Sequence, residues 1–253
     1  MKCIVLAAGY ATRLYPLTKN TAKPLLKVGE KYILDHIIEK VERVDVIDEV
    51  FVITNDKFYA DFAKWALGYT GGKSIKVMND QTTSNDNRLG AIADIQYVID
   101  QVNLDDDLLV LAGDNLFNFE LTDFVEFYEH AGADCITAHK LDDIEEIKRT
   151  GVIELGDHHI VTSFEEKPNH PKSNLAVPPF YIYERETIPL IKRYLLEGEN
   201  PDAPGNFIPW LINHKNVYAY EFHGERYDIG TVESYEKVCE KFSVLSEERT
   251  SKR

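Results

Sequence analysis

Short apolar runs alternate with longer stretches of helically spaced apolar residues through the first 133 positions, and this alternation constrains the fold more than any other feature. Strand-like runs fall at 2–8, 49–54, 75–78 and 108–111, and helix-patterned stretches at 33–44, 58–67 and 89–102. Such alternation predicts an α/β chain with a parallel sheet wound by helices. Ligands of open sheets lie beyond the carboxyl ends of the strands. Chemistry is therefore expected in the loops at 9–24 and 113–117.

The pattern changes at residue 134. A strand at 134–139, a hairpin at 151–168 turning near 156–158 and a strand at 175–182 read as a small antiparallel addition to a mixed, mostly parallel central sheet flanked by helices. A helix at 184–196, a Pro- and Gly-containing loop at 197–206, a strand at 217–222 and a helix from 232 complete the reading, with a frayed tail from 246. With 44% apolar residues, 253 residues can bury a sizeable core as one unit. The expected division is 1–133, 134–235, and a C-terminal helix and tail at 236–253.

The net charge of -15 argues against a general binder of nucleic acid or anionic membranes, which neutralises phosphates with Lys and Arg. Bases nevertheless gather at the start, where Lys2, Arg13, Lys19, Lys23, Lys27 and Lys31 face Glu30 alone. An anionic ligand must be met locally. Cys3, Cys135 and Cys239 are spaced too widely for a metal pair and read as reduced core residues. No signal peptide and no membrane-length apolar run is visible, so the expected compartment is the cytoplasm.

In "LAAGYATRLYPLTKNTAKPLL", residues 6–26, Ala7, Ala8 and Gly9 keep the backbone uncluttered for an anion, while Arg13 and Lys23 offer charge-assisted bonds to phosphate. "GYTGGKS" at 68–74 has Leu67 where a phosphate loop needs its first glycine and follows a helical stretch, so it reads as a helix-ending turn. In "DDDLLVLAGDNLF" an apolar strand delivers Asp114 to the same sheet edge, where a carboxylate can hold Mg²⁺. "ERYDIGT" supplies a second carboxylate, Asp228, and "SFEEKP" ends a strand with Glu166 for hydroxyl groups and Lys167 for a monophosphate. His158 and His159 read as turn residues.

In this order and spacing the four segments resemble the sugar-phosphate nucleotidyltransferase family, of the glucose-1-phosphate thymidylyltransferase type, over about residues 1–235. The resemblance implies a Rossmann-like nucleotidyltransferase fold whose halves bind nucleotide and sugar phosphate. A sugar 1-phosphate would attack the α-phosphorus of a nucleoside triphosphate, dTTP or UTP, to give a nucleotide-sugar and pyrophosphate. By the same resemblance Arg13 grips the triphosphate, Lys23 supports its α-phosphate, and Asp114 and Asp228 hold Mg²⁺. Lys167 orients the sugar phosphate, Leu6, Ala7, Ala8, Gly9, Asn79, Leu89 and Gly90 complete the nucleotide site, and Gly151, Glu166, Asn174, Val177 and Tyr181 line the sugar pocket, with glucose 1-phosphate as the default acceptor.

Three departures accompany these matches. Ala11 stands where the family usually has glycine. "NDQTTSNDNRLGAIADI" replaces the glutamine-led base-reading segment and is similar to the phosphocholine cytidylyltransferase branch, so CTP with a phospho-alcohol is an alternative. "PDAPGNFIPWL" replaces a segment that carries a sugar-contacting acid. A non-catalytic nucleotide-sugar sensor is the third reading. The chain is expected to lack the β-helix acetyltransferase domain of some relatives, and a homo-oligomer stays open because relatives often assemble while no apolar stripe demands it.

Overall fold

A computed structural model describes the chain from Met1 to Ser251, with side chains described through Phe242. The first half runs β1 (Lys2–Leu6), β2 (Lys27–Val28), β3 (Lys31–Tyr32), α1 (Ile33–Val41), β4 (Glu49–Thr54), α2 (Tyr59–Leu67) and β5 (Ser74–Asn79). It continues through α3 (Ala91–Val102), β6 (Leu108–Ala112), β7 (Asn115–Phe117) and α4 (Leu121–Ala131). The second half comprises β8 (Asp134–Lys140), α5 (Ile144–Ile147), β9 (Gly151–Leu155), β10 (Val161–Glu166), β11 (Leu175–Val177) and β12 (Phe180–Tyr183). It ends with α6 (Ile188–Leu196), α7 (Phe207–Leu211), β13 (Val217–Glu221), β14 (Arg226–Asp228) and α8 (Val232–Ser251). The tail expected from 246 falls on side chains and on a terminal pair, Lys252 and Arg253, outside the described residues.

One mixed sheet carries both halves, in the order β10-β9-β11-β8-β12-β6-β1-β4-β5. β6, β1, β4 and β5 run parallel, with Leu6 opposite both Ile53 and Ala112. The antiparallel strands continue the same sheet through β12, which pairs β6 on one side and β8 on the other. The far edge of β8 forks: β13 runs parallel to residues 134–138, while β11 takes His139 and Lys140.

The continuous apolar runs of the central strands follow from burial on both faces. Cys3, Val5, Val50, Val52, Leu109 and Leu111 point into one core with α1 and α4. Their neighbours Ile4, Phe51, Ile53, Leu108 and Val110 point into the other with α3 and α6. Each buried Ile or Leu contributes about 1.5–3 kcal/mol, so the two layers fix the strand edge from which the loops depart.

Several element boundaries move for physical reasons. The run at 175–182 is two strands because Pro178 and Pro179, which lack N–H groups, interrupt it. α3 begins at Ala91, two residues later than its pattern suggests, because Gly90 sits at φ +95°, outside helical space. α6 begins at Ile188 after a 3-10 turn at Arg185–Thr187. α1 stops at Val41, β1 stops at Leu6, and the segment at 68–74 is the turn from α2 into β5. Among the described residues no helix is long and apolar enough to cross a membrane. Cys3 and Cys135 are buried thiols, as expected, and burial pushes their ionisation upward, whereas Cys239 on α8 is only partly buried against the core and not within it.

Candidate active site

The loop after β1 is fixed from behind. Ala7 N–H donates to Ile53 O at 2.8 Å, Asn55 Nδ2 donates to Ala8 O at 2.8 Å, and Thr18 Oγ1 donates to Ala11 O at 2.7 Å. Ala11, at the position of the missing family glycine, adopts the left-handed conformation (φ 46°, ψ 43°) without one, at a cost of about 1–2 kcal/mol. The loop lines a cavity of about 470 Å³ with Leu6, Ala7, Ala8, Gly9, Arg13 and Lys23 on one side and Gly90, Ala91 and Asp94 on the other.

The chain then converges on Lys23. β6 ends at Ala112, and Gly113 turns the chain so tightly that a Cβ there would lie 2.9 Å from Leu6 O. This close approach sets Asp114 beside the loop, and Asp114 Oδ2 accepts from Lys23 Nζ at 2.8 Å. β14 pairs antiparallel with β7, placing Asp228 opposite Asn115, and Asp228 Oδ1 lies 3.8 Å from the same ammonium. Burial works to raise the Asp114 carboxyl, but the Lys23 charge and hydrogen bond, helped by Asn115 and Arg226, hold it below the usual carboxylate range. Arg13 is exposed and has no ion-pair partner among the described residues.

A second cavity, of about 820 Å³, shares Leu6, Arg13, Lys23, Ala91, Asp114 and Gly230 with the first. Gly151, Glu166, Lys167, Val177 and Tyr181 line it. Lys167 takes φ +48° at the end of β10, with its N–H on Thr150 O at 3.1 Å and its ammonium 3.3 Å from Glu166. Tyr181 is buried on β12, and burial pushes its hydroxyl's ionisation up.

Three expected site residues stand outside both linings. Asn79 turns its amide to Asp56 Oδ1 at 2.8 Å and accepts from Gln81 N–H at 2.8 Å, which occupies it within its own turn. Leu89 is exposed beside Gly90, and Asn174 is an exposed residue ahead of β11 whose carbonyl accepts from Leu141 N–H. The cavities instead contain residues that motif reading passes over. Arg226, its side chain mostly buried, donates to Asn115 Oδ1 at 2.6 Å and lies 3.4 Å from Asp228. Arg149 is exposed on the wall of the larger cavity. His139 stacks on Phe222 at 5.0 Å, and burial, then the Arg226 charge, lower its pKa to about 4, so the imidazole is neutral.

The carboxylates present, Asp114 and Asp228, are hard oxygen donors facing one point that a cation, the Lys23 ammonium, already shares. Among the described residues no three His, Cys, Asp or Glu are grouped to hold a metal unaided. This set fits Mg²⁺, which takes one or two protein carboxylates and completes its shell with water and substrate phosphate.

A basic loop and paired carboxylates thus lie at the carboxyl edge of the parallel strands, where open α/β sheets take their ligands. The chain belongs to the family described as Nucleotidyl transferase, whose profile matches residues 2–243. It is 32% identical to a glucose-1-phosphate adenylyltransferase of Clostridium novyi over 92% of this chain and 64% of that protein. The chain thus spans less than two thirds of the length of that curated relative. A Bacillus anthracis structure described as a glucose-1-phosphate thymidylyltransferase in complex with sucrose superposes with TM-score 0.77 at 25% identity, covering 96% of this chain and 95% of that one. A UDP-glucose pyrophosphorylase complexed with UDP-glucose shares the fold, with TM-score 0.81 at 21% identity and coverage of 96% and 98%.

Proposed function

We propose that the chain is a Mg²⁺-dependent sugar-1-phosphate nucleotidyltransferase, with glucose 1-phosphate as acceptor. The observation that carries this reading is the shared wall: two cavities meet at Arg13, Lys23 and Asp114. A triphosphate in the smaller cavity and a sugar phosphate in the larger would bring their phosphates together there. The relatives' names support the acceptor, since the C. novyi and B. anthracis proteins are both described as glucose-1-phosphate enzymes.

In the reaction, a phosphate oxygen of the acceptor forms a bond to the α-phosphorus as the bond to the β-phosphate oxygen breaks. Pyrophosphate leaves with the bonding electrons. Arg13, without an ion-pair partner among the described residues, binds the β- and γ-phosphates and the charge that grows on them. Lys23 neutralises the α-phosphate, and Lys167 holds the attacking phosphate with Arg149 on the same wall. Glu166 accepts from sugar hydroxyls. Mg²⁺ held by Asp114 and Asp228 would supply further charge neutralisation at the phosphates. Catalysis in this scheme is positioning and electrostatics, with no covalent intermediate on the protein.

The direct test is pyrophosphate release with Mg²⁺ across ATP, CTP, GTP, UTP and dTTP against glucose 1-phosphate, other sugar 1-phosphates and phosphocholine. Release with a sugar 1-phosphate is the expected result. Release only with CTP and phosphocholine would replace it with the cytidylyltransferase reading, and nucleotide-sugar binding with no release across the grid would replace it with the sensor.

A further inference from the structure

Five side chains form a closed circuit beside the wall that the two cavities share. Lys23 Nζ donates to Asp114 Oδ2 at 2.8 Å, and Asn115 Nδ2 donates to Asp114 Oδ1 at 2.7 Å. Asn115 Oδ1 in turn accepts from Arg226 Nε at 2.6 Å. Arg226 Nη2 lies 3.4 Å from Asp228 Oδ2, and Asp228 Oδ1 lies 3.8 Å from Lys23, which closes the ring. The Asn115 amide can take only this orientation, because a carboxylate accepts only from its N–H and a guanidinium donates only to its oxygen.

The two cations differ in what the circuit leaves over. Lys23 lines both cavities, whereas Arg226, its side chain 11% exposed, lines only the larger. A guanidinium carries five N–H groups. Nε spends its one on Asn115, and the four on Nη1 and Nη2 make no hydrogen bond among the described residues, Asp228 being an ion contact only. Neither terminal nitrogen is a sealed, unpartnered atom, so both are open to a group in the cavity.

The other cations of the larger cavity are placed differently. Lys148 and Lys167 pair with Glu145 at 2.7 Å and Glu166 at 3.3 Å, and Arg149 is exposed. Beside Arg226 stand Tyr181, 2% exposed, and His139, 6% exposed, which burial and then the Arg226 charge keep neutral. Arg226 therefore supplies positive charge at the buried end of the cavity, where charge-assisted hydrogen bonds are stronger than at its exposed wall.

We propose that Arg226 is an acceptor-binding residue, whose terminal N–H groups donate to the phosphate of the sugar 1-phosphate in the larger cavity. Asn115 holds the guanidinium through Nε, which leaves the Nη pair as a preset fork that matches two phosphate oxygens. The charges of the circuit cancel, so a phosphate dianion arriving with Mg²⁺ does not meet a negative site despite the two carboxylates. The inference rests on the larger cavity being the acceptor site, and it adds to Lys167 a cation that no sequence motif marks.

The test measures calorimetric binding of glucose 1-phosphate, inorganic phosphate and the five Mg²⁺-triphosphates, each alone, in the native chain, Arg226→Gln and Arg226→Lys. Arg226→Gln should weaken glucose 1-phosphate and inorganic phosphate about tenfold or more, and leave triphosphate binding within about twofold. Arg226→Lys, which keeps the charge but not the fork, should fall between. In turnover, KM for glucose 1-phosphate should rise while KM for the triphosphate holds. Unchanged acceptor binding in Arg226→Gln would overturn the proposal and leave the transferase reading in place. Equal weakening of acceptor and triphosphate would also overturn it, since Arg226 would then act only by holding Asn115 and Asp228. If the native chain binds neither glucose 1-phosphate nor inorganic phosphate, the proposal falls together with the acceptor-site reading. Selective weakening of phosphate binding, with no pyrophosphate release by the native chain, would uphold Arg226's role while removing the transferase reading. If Arg226→Gln does not fold, Arg226→Lys decides, because its acceptor affinity should still fall severalfold at unchanged triphosphate affinity.

Discussion

Lys23 stands between two carboxylates, and its burial makes that position consequential. Its side chain is 8% exposed, while Asp114 and Asp228 are 38% and 52% exposed and open to the cavities. The acids can therefore turn toward a cation brought by substrate while the ammonium remains fixed. Asp114→Asn or Asp228→Asn should reduce pyrophosphate release about a hundredfold or more, since charge neutralisation at the phosphates is lost. The circular-dichroism spectrum should be retained; retained turnover in either variant would remove that residue from the proposed metal site. Asp94 and His139 carry opposite linkages to pH. Asp94, raised to about 8, keeps a proton that the unfolded chain gives up near pH 4, so its stabilising contribution is present below about 4 and is lost as pH rises toward 8. His139, lowered to about 4, contributes above about 6.5 and loses that contribution as pH falls toward 4. Urea unfolding from pH 5 to 8 should show the native chain losing stability relative to Asp94→Asn, by up to a few kcal/mol. A pH-independent gap would mean that Asp94 does not keep that proton. Residue type made Arg13, Lys23, Asp114 and Lys167 visible in the sequence. Arg226 and His139 were not, because what sets them apart is a neighbour delivered by a distant strand.

At the scale of elements, the legible parts were those whose pattern is local. β1, β4 and β6 are buried on both faces and read as unbroken apolar runs, and α3 repeats Ile92, Ile95, Val98 and Ile99 at helical spacing. The β7–β14 ladder is three residues long, too short for any period, yet it brings Asp228 to Asp114. The fork on β8 is equally invisible, since parallel pairing of β13 depends on which edge the earlier strands leave open. α4, which the sequence reading does not include, buries Leu121, Phe124, Val125 and Tyr128 as a stripe at helical spacing. The start of α3 is the most testable junction. Gly90→Ala should cost about 1–3 kcal/mol from the positive φ, with a further penalty from crowding against Pro201. Gly132→Ala, at φ +58° with open space around its added Cβ, should cost only the conformational part. Denaturant midpoints for the pair separate the two effects, and a raised KM for triphosphate only in Gly90→Ala would tie this junction to the smaller cavity.

For the molecule as a whole, the acidic net charge and the basic mouth work together. A chain of net charge -15 repels polyanions over most of its surface, so the bases lining the two cavities, among them Arg13, Lys23, Arg149, Lys167 and Arg226, are where the proposed phosphate ligands would be held. Beyond the residues they share, the cavities draw on different elements, the loop after β1 for the smaller and β9, β10 and β12 for the larger. A ligand that fills only one cavity would leave the other wall's cations unengaged, whereas the nucleotide-sugar product of the proposed reaction would reach both. Such a product should therefore stabilise the fold more than a triphosphate or a sugar 1-phosphate at the same concentration. At a hundredfold excess over Kd, binding adds about 2.7 kcal/mol, or about 5–10 °C in Tm for a domain of this size. The increase should depend on Mg²⁺ and fall in both Arg13→Ala and Lys167→Ala, because the product spans the residues on both sides. If either variant left the nucleotide-sugar shift unchanged while abolishing the shift with the corresponding single substrate, the two cavities would be separate sites and the shared wall would not be where the substrates meet.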